Sequence, residues 1–216
     1  MIDITAHELI TTTRAVRRRL DLDRPVAPEL LEECVADALQ GPQGSNMLRT
    51  EFVVVRDPAR VAELGRIYRE EFDGFYRESE VGLFRRRDDD LDHAAQSRRT
   101  RDSAEHLSQV MDRVPAIVIP CLTPRLSDGD LLAAKHRLAT VYPTVWNFML
   151  AARLRGLGTC WTGMTLGREA DVAEVVGIDP EQVEQVCMIP VAYYTGSGFK
   201  PAWRPPAADF IHWDTW

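Results

Sequence analysis

The stretch VWNFMLAARLRGLGTCWT, residues 145–162, places a helix, a glycine turn and a strand one after another. Its first part is apolar on several sides, which is typical of a helix that is buried all round. Gly156 stands where a helix-ending glycine is expected, and Thr159–Thr162 has the composition of a short strand. This order indicates a protein in which helices and strands share a core.

The segments before this stretch also alternate between helix and strand. Apolar residues recur at helical spacing over residues 28–39, and Gly41-Pro42 ends that helix. The run Phe52–Val55 predicts a short buried strand. Asp57 then has the character of a helix N-cap with proline at the first helical position, so a helix is expected to follow.

Two further strands and a long helix complete the pattern. AIVIPCL, residues 116–122, has strand composition, but Pro120 inside it predicts an edge strand or an irregular strand end. A helix is predicted over residues 130–155, interrupted or bent near Pro143, and a last strand lies in VCMIPVAYY, residues 186–194. Interleaved helices and strands indicate an α/β or α+β class.

Length and composition are those of an ordinary globular domain. The 216 residues are 45% hydrophobic and 27% charged, and no linker separates a second core, so we expect a single domain over residues 1–216. The net charge of −7 argues against nucleic-acid binding, which favours a basic surface. Small molecules and other subunits are the expected partners.

The cysteines and the N-terminus predict the compartment. Cys34, Cys121, Cys160 and Cys187 form no CxxC pair, and each lies in an apolar stretch, as buried thiols of a reducing compartment do. No signal peptide is visible, and no apolar run approaches the ~20 residues that cross a membrane. We therefore expect a cytoplasmic protein without a membrane partner.

Residues 78–106 differ from the rest of the chain in their charge. Arg85–Arg87 is followed at once by Asp88–Asp90, and further charged residues come after them. Such a stretch does not bury itself, and its positive and negative charges nearly cancel. The pattern favours a solvated helical excursion or a mobile lid over a specific site for an anionic ligand.

The densest cluster of positive charge lies near the N-terminus of this acidic chain. Five arginines precede the first strong helix: Arg14, Arg17, Arg18, Arg19 and Arg24. One interpretation is a solvated face of the protein. The functional alternative is a phosphate site, because a guanidinium group binds phosphate oxygens in bidentate fashion.

A second candidate is the loop GPQGSN, residues 41–46, between the first helix and the first strand. As an ordinary loop it needs no function, because glycine, proline and asparagine commonly mark turns. As a functional loop it would present its backbone to a planar ligand. Gly44 would permit close approach, and Asn46 would supply both a donor and an acceptor.

Other sequence motifs that would indicate a cofactor, a metal or a catalytic nucleophile are incomplete. The sequence Gly156-Leu157-Gly158 lacks the third glycine of a dinucleotide fingerprint and follows a helix. The histidines show no metal-ligand spacing, so no metal site is expected, and no serine lies in a nucleophile elbow. These histidines and serines are His93, His106, His136, Ser103, Ser108 and Ser127. A chain without an evident acid, base or nucleophile would take its chemistry from a cofactor.

Several short segments follow one another in the order of a known family. Thr13–Arg17 stands in place of an Arg-Arg-Ser-x-Arg motif, and residues 41–46 match Ala-Pro-Ser-Gly-x-Asn before an identical Phe-Val-Val-Val strand. Asn147–Gly158 matches Asn-x-x-Leu-Ala-Ala-x-x-x-Gly-Leu-Gly, and Ile189–Tyr193 is followed by an Arg-x-Pro element at Arg204. Together these segments resemble the nitroreductase family of FMN-dependent oxidoreductases.

The resemblance implies a fold and an assembly. The family has a three-layer α/β/α fold with a mostly antiparallel central sheet. It forms homodimers whose C-terminal segment wraps the partner, with one FMN in each of two sites at the dimer interface. Residues 66–112 fall where the family varies most, as a helical excursion or lid over the substrate pocket. The apolar tail, with Phe210, Trp213 and Trp216, is accordingly expected to dock on the partner.

The resemblance also assigns the cofactor-binding residues. They divide into a phosphate end, a loop that approaches the flavin from the other subunit, and a segment along the isoalloxazine side. In that order they are Arg14, Ala15, Arg17 and Arg204; Pro42, Gln43, Gly44 and Asn46; and Trp161, Thr162 and Gly163. No protein residue is assigned as catalytic, because flavin N5 is the reactive centre in the family.

Four positions depart from the family pattern. Ala15 replaces a serine and removes one hydroxyl donor to the phosphate, and Gln43 replaces a small serine. Leu48 and Thr50 stand where glutamine and tryptophan are common, just before the strand. These departures bear on the substrate more than on FMN.

The implied activity is electron transfer from NAD(P)H to an electron-poor acceptor, such as a nitroaromatic or a quinone, in two half-reactions through flavin N5. Alternatives remain open. One is a non-redox protein that binds or stores FMN, and another is a flavin-dependent dehalogenase or flavin-fragmenting relative. A third alternative rests on composition alone: a helical interaction protein with an arginine-rich docking face. Failure of the protein to take up FMN would favour this alternative.

Overall fold

The computed structural model describes residues 1–78, 91–126 and 129–216 and places helices on both faces of a sheet. The helices are α1 (Ala6–Thr12), α2 (Pro28–Ala38), α3 (Pro58–Glu78), α4 (Leu91–Val110), α5 (Leu131–Leu154) and α6 (Glu169–Val176). The strands are β1 (Thr50–Val55), β2 (Ala116–Leu122), β3 (Leu157–Thr159), β4 (Glu184–Gln185) and β5 (Ile189–Tyr193).

The strands form one antiparallel sheet in the order β1-β2-β5-β3, and β4 pairs with β2 beside β5. The side chains of β2 alternate between two hydrophobic layers. Ile117 and Ile119 pack with α3 and α6, whereas Ala116 and Val118 pack with α2 and α5. A strand has a side-chain period of two, so one central strand supplies both layers. The expected three-layer α/β/α fold with an antiparallel sheet is confirmed.

The prediction of an edge strand at Pro120 is wrong. β1 pairs along all of β2, and β5 and β4 share its other side. The Pro120 carbonyl accepts from Val186 N at 2.9 Å, so this side of Pro120 faces β5 and β4. Pairing of β2 with β5 ends at Val118, and its pairing with β4 starts at Cys121. The missing N–H of Pro120 therefore lies in the gap between these two pairings. Proline is tolerated in this central strand because the ladder is already broken there.

The helices agree with the predictions more closely than the strands. α3 begins at Pro58, and the Asp57 carboxylate accepts from Arg60 N at 2.9 Å, as predicted for an N-cap. α5 continues through Pro143 as one helix, and Gly156 after it has a φ of +75°. The strand predicted at Thr159–Thr162 is shifted, because β3 ends at Thr159.

α1 is a helix that periodicity did not reveal. It begins with a capping box, in which Thr5 Oγ1 accepts from Glu8 N at 3.1 Å and the Glu8 carboxylate accepts from Thr5 N at 2.9 Å. The sequence signal was Thr-x-x-Glu, which is a local motif and needs no apolar stripe.

The charged excursion is helical where the structure describes it. α3 and α4 occupy most of residues 66–112, whereas the run Arg85–Asp90 and Ser127 lie outside the described residues. α4 anchors its last turns in the core through Leu107 and Val110, both buried. Within the described residues, no helix is long and apolar enough to cross a membrane.

Candidate functional site: an arginine-lined cleft

The segment Arg14–Leu20 lies against β3. Val16 N donates to the carbonyl of Thr159 at 2.8 Å, and Val16 and Leu20 are buried. Gly158 makes this approach possible, because a Cβ there would stand 2.9 Å from Val16 Cγ1. The segment is thus fixed to the sheet through its apolar residues, and its arginines are left toward the surface.

Two of the five clustered arginines are engaged with the last residue of β5 and the chain that follows it. Arg19 donates to backbone carbonyls within residues 195–198 and lies over the ring of Phe199, 4.2 Å from its centroid. Arg24 lies over the ring of Tyr193, 3.4 Å from its centroid. Arg19 and Arg24 therefore have a structural role that accounts for their charge.

Among the described residues, the other three arginines donate only long hydrogen bonds to oxygen atoms, and Arg17 also lies beside the Cys160 thiol. Arg14 donates to Lys200 O at 3.4 Å, Arg17 to Ser103 Oγ at 3.4 Å, and Arg18 to Asp102 O at 3.3 Å. A guanidinium group has five N–H donors, and bonds of this length are weak. Most of their donors are therefore available for an anionic ligand.

These arginines form the floor of a cleft of about 520 Å³. One wall is α4, and the other is the chain from Phe199 to Trp203. Five arginines line the cleft, and none of the described residues lining it is acidic: Arg14, Ala15, Val16, Arg17, Arg18, Arg19, Gln96, Arg99, Thr100, Ser103, Phe199, Pro201, Ala202 and Trp203. In a chain of net charge −7, such a cleft suits an anion.

The loop of residues 41–46 is held on α5, away from this cleft. Gln43 Nε2 donates to Thr144 Oγ1 at 2.6 Å, and Gly44 N donates to Thr140 Oγ1 at 3.4 Å. A Cβ on Gly44 would lie 3.0 Å from Thr140 Oγ1, so the close approach predicted for Gly44 is made to α5. Pro42 and Asn46 are exposed, and the buried Gln43 Oε1 has no hydrogen-bond partner among the described residues.

Residues 161–163 continue from β3 beside the arginine segment. Thr162 pairs with Met188 through two backbone hydrogen bonds of 2.8 and 3.0 Å, and Thr162 Oγ1 donates to Tyr68 OH at 3.4 Å. Burial raises the pKa of the adjacent Cys160 thiol, and the nearby Arg17 guanidinium opposes that rise. Gly163 is exposed. Arg14, Ala15 and Arg17 therefore lie at the same edge of the sheet as the Trp161 segment.

The loop and the arginine segment lie at opposite edges of the sheet within one chain. Residues 41–46 lead into β1, whereas the arginine segment borders β3, three strand spacings or about 14 Å away. The ring of Trp161 contacts Tyr142, which lies about 200° around α5 from the loop's partner Thr144. Within one chain, the sheet order therefore separates the loop from the arginine segment.

Arg204 lies beyond the cleft wall. Its Nη1 donates to the carbonyl of Trp203 at 2.8 Å, and its side chain is exposed. Trp203 lines the cleft, whereas Arg204 does not.

Residues 10–193 match the nitroreductase family. The chain belongs to the nitroreductase family. Three solved structures illustrate the likeness of fold. Oxidized iodotyrosine deiodinase bound to FMN and 3-iodo-L-tyrosine has a TM-score of 0.73 at 18% identity, over 97% of this chain and 99% of that chain.

Two bacterial structures are similarly related to this nitroreductase-family chain. A BluB-like flavoprotein from Clostridium difficile 630 has a TM-score of 0.69 at 14% identity, over 99% of this chain and 100% of that one. A nitroreductase-like family protein from Bacillus cereus has a TM-score of 0.64 at 19% identity, over 98% of this chain and 97% of that one. At these identities the likeness is one of fold.

The cleft of this nitroreductase-family chain also holds residues that the sequence interpretation did not place there. α4 contributes Arg99 and Ser103, although its charged composition favoured a solvated excursion over an anion site. Ser103 is 86 residues from its contact Arg17, and no spacing rule connects the two. One sequence feature could have indicated that α4 contributes to an anion site: Arg98 and Arg99 lie outside the run of residues 85–90, in which positive and negative charges cancel.

Proposed function

We propose that this chain is an FMN-dependent oxidoreductase that transfers electrons from NAD(P)H to an electron-poor small molecule, such as a nitroaromatic or a quinone. The observation that carries the proposal is the acid-free cleft whose floor is the arginine segment of a nitroreductase-family chain. We take residues 1–216 as one FMN-binding domain. A cytoplasmic location is part of the proposal, because the four buried cysteines are free thiols.

Two of the three arginines at the cleft floor, Arg14 and Arg17, suit the phosphate of FMN. Arg14 and Arg17 offer guanidinium donors that no carboxylate among the described residues engages. Ala15 between them supplies no hydroxyl, and the Ser103 hydroxyl in the same cleft donates to the Thr100 carbonyl at 2.8 Å, so the donors for a phosphate here are the guanidinium groups. Charge-assisted hydrogen bonds from arginine to phosphate are among the strongest that a protein forms.

The remaining candidates suit the flavin ring. Bound FMN supplies the redox centre of such an enzyme, and the protein supplies binding, orientation and electrostatics. Trp161 offers an aromatic surface at the end of β3, and the bridge between Thr162 and Met188 fixes the backbone beside it. The loop of residues 41–46 is attached to α5 chiefly through the 2.6 Å hydrogen bond from Gln43 to Thr144.

We place the complete site between two chains of a homodimer. The separation of the loop from the arginine segment within one chain supports this arrangement, since only a partner could bring its loop to the cleft. The tail supports it as well, because Phe210, Trp213 and Trp216 are 65%, 81% and 100% exposed in the single chain. Exposed apolar surface of this kind is typical of an interface.

The proposed activity divides into two steps that can be measured separately. The FMN-loaded protein is mixed without oxygen with NADPH or NADH, and loss of the visible flavin absorbance reports reduction. The reduced protein is then mixed with a quinone or a nitroaromatic, and return of the absorbance reports reoxidation. We expect both steps. A protein that binds FMN and is reduced by neither nucleotide would contradict the proposed electron donor, and one that takes up no FMN would overturn the whole proposal.

A further inference from the structure

The cleft holds more positive charge than one phosphate group requires. A phosphate monoester carries a charge of about −1.5 to −2 at neutral pH. Arg14 and Arg17 match that charge, and Arg19 is engaged with backbone carbonyls and the ring of Phe199. Arg18 and Arg99 remain, and both line the cleft.

Arg18 and Arg99 meet at the same turn of α4. Arg18 Nη2 donates to the carbonyl of Asp102 at 3.3 Å, and Asp102 is three residues after Arg99. Arg99 therefore lies within one helical turn of the point where Arg18 contacts α4, and the side chains of both residues line the cleft. Both side chains are exposed, and within the described part of the chain neither is paired with a carboxylate.

We propose that Arg18 and Arg99 form a second anion subsite in this cleft, which binds the 2′-phosphate of NADPH and makes the protein prefer NADPH to NADH. This inference rests on the proposed function, because a nucleotide reductant has to reach the flavin. The 2′-phosphate is the group that NADPH has and NADH lacks, and arginine is the residue type that accommodates it in dinucleotide sites.

The 2′-phosphate suits the subsite better than the pyrophosphate that both nucleotides share, because it concentrates its charge and three terminal oxygens on one phosphorus. The 2′-phosphate is a monoester with a charge of about −1.5 to −2, whereas each phosphate of the pyrophosphate diester carries a single charge. Two arginines of one cleft match the monoester in both charge and number of donors. The exposure of both side chains also suits a group at the outer end of the reductant.

The first test compares the two nucleotides in three variants of the FMN-loaded protein. Arg18→Ala and Arg99→Ala should each raise KM for NADPH by about fivefold, and the double variant by about 25-fold if the effects add. KM for NADH and Kd for FMN should stay unchanged. Arg98→Ala is the matched control, because Arg98 is an exposed neighbour on α4 that does not line the cleft; it should change none of these constants.

The second test measures binding without turnover. The FMN-loaded protein is titrated with adenosine 2′,5′-bisphosphate and with 5′-AMP, which lacks the 2′-phosphate. We expect tighter binding of the bisphosphate, and loss of that difference in the double variant. The Arg98→Ala control should retain it.

Four results would overturn the inference. An equal rise in KM for NADH and NADPH would assign the arginines to the shared pyrophosphate, and a parallel rise in Kd for FMN would assign them to the flavin phosphate. Weaker dimerisation with unchanged KM would assign them to the partner, and no change in any constant would leave them solvated. Failure of the proposed function is distinct, since the unaltered protein would then not bind FMN or be reduced by either nucleotide.

Discussion

Arginines that are neighbours in sequence have different surroundings in the fold, and this difference can be tested residue by residue. Arg14→Ala and Arg17→Ala should each weaken FMN binding by about 10- to 150-fold, because each removes a charge-assisted hydrogen bond to phosphate. Arg24→Ala is the control, since Arg24 stacks on Tyr193 and does not line the cleft. Quenching of FMN fluorescence on titration measures the three dissociation constants. Equal effects at all three positions would contradict the phosphate assignment.

The buried cysteines predict how stability depends on pH. Burial raises the pKa of Cys34 to about 11 and that of Cys121 to about 12, against about 8.5 in an unfolded chain. The stability linked to each thiol is fully present below the unfolded pKa and is lost as the pH rises toward the folded value. We expect the free energy of unfolding to fall above pH 9, by about 1.4 kcal/mol per pH unit for each thiol. Urea titrations at several pH values measure this slope.

Cys34→Ala provides the control for that slope. The variant lacks one buried thiol and should lose that thiol's share of the pH dependence, whatever its stability at pH 7. An unchanged slope would mean that other groups cause the alkaline loss of stability.

Individual residues could be singled out from the sequence where they belong to a short local motif. Arg14 and Arg17 follow from the short segment at residues 13–17, and Asp57 from the N-cap pattern before proline. Arg99 and Ser103 could not be assigned to the cleft, because packing of α4 brings them there from far along the chain.

At the scale of elements, α3 contains two glycines with opposite expected effects. A Cβ on Gly65 would lie 2.3 Å from the backbone of Asp112, whereas one on Gly74 would meet nothing within 4 Å. Gly65→Ala should therefore destabilise the protein by about 1–3 kcal/mol through overpacking. Gly74→Ala should stabilise it by about 0.5–1 kcal/mol through helix propensity. Urea unfolding of both variants measures the difference, and similar values would contradict the close packing of α3 on residues 111–113.

Elements with strong periodicity were predictable, and their pairing was not. The stripe over residues 28–39 and the Gly156 helix end agree with the structure. The prediction of an edge strand at Pro120 was wrong because the rule against proline in a central strand assumes a continuous ladder of hydrogen bonds. Here β4 and β5 pair with different parts of the same side of β2 and leave a break between them. That break is a property of the sheet and is absent from the sequence of any one strand.

At the scale of the whole molecule, the tail is expected to stabilise a dimer. Deleting residues 207–216 removes three large aromatic side chains that are mostly exposed in the single chain. Each would contribute about 1.5–3 kcal/mol if the partner buried it, so the truncated protein should dissociate at a higher concentration and retain less FMN. Sedimentation and flavin absorbance measure both effects. A truncated protein that stays dimeric and equally loaded would show that the tail is dispensable.

The arrangement of the candidate site could be predicted only from the family resemblance. Composition and periodicity indicated one mixed domain, but they did not relate the loop of residues 41–46 to the arginines near the N-terminus. The sheet order separates these two groups across the chain, and this separation is the physical reason to place the site between subunits.

The most direct test of this account is a heterodimer that carries one Arg17→Ala chain and one Asn46→Ala chain, purified with two different affinity tags. In a shared site, one cleft of this dimer receives both substitutions and the other receives neither. We predict that each homodimeric variant binds FMN weakly, whereas the heterodimer binds one FMN with the affinity of the unaltered protein. A heterodimer that binds FMN no better than the two homodimers would show that each site lies within a single chain.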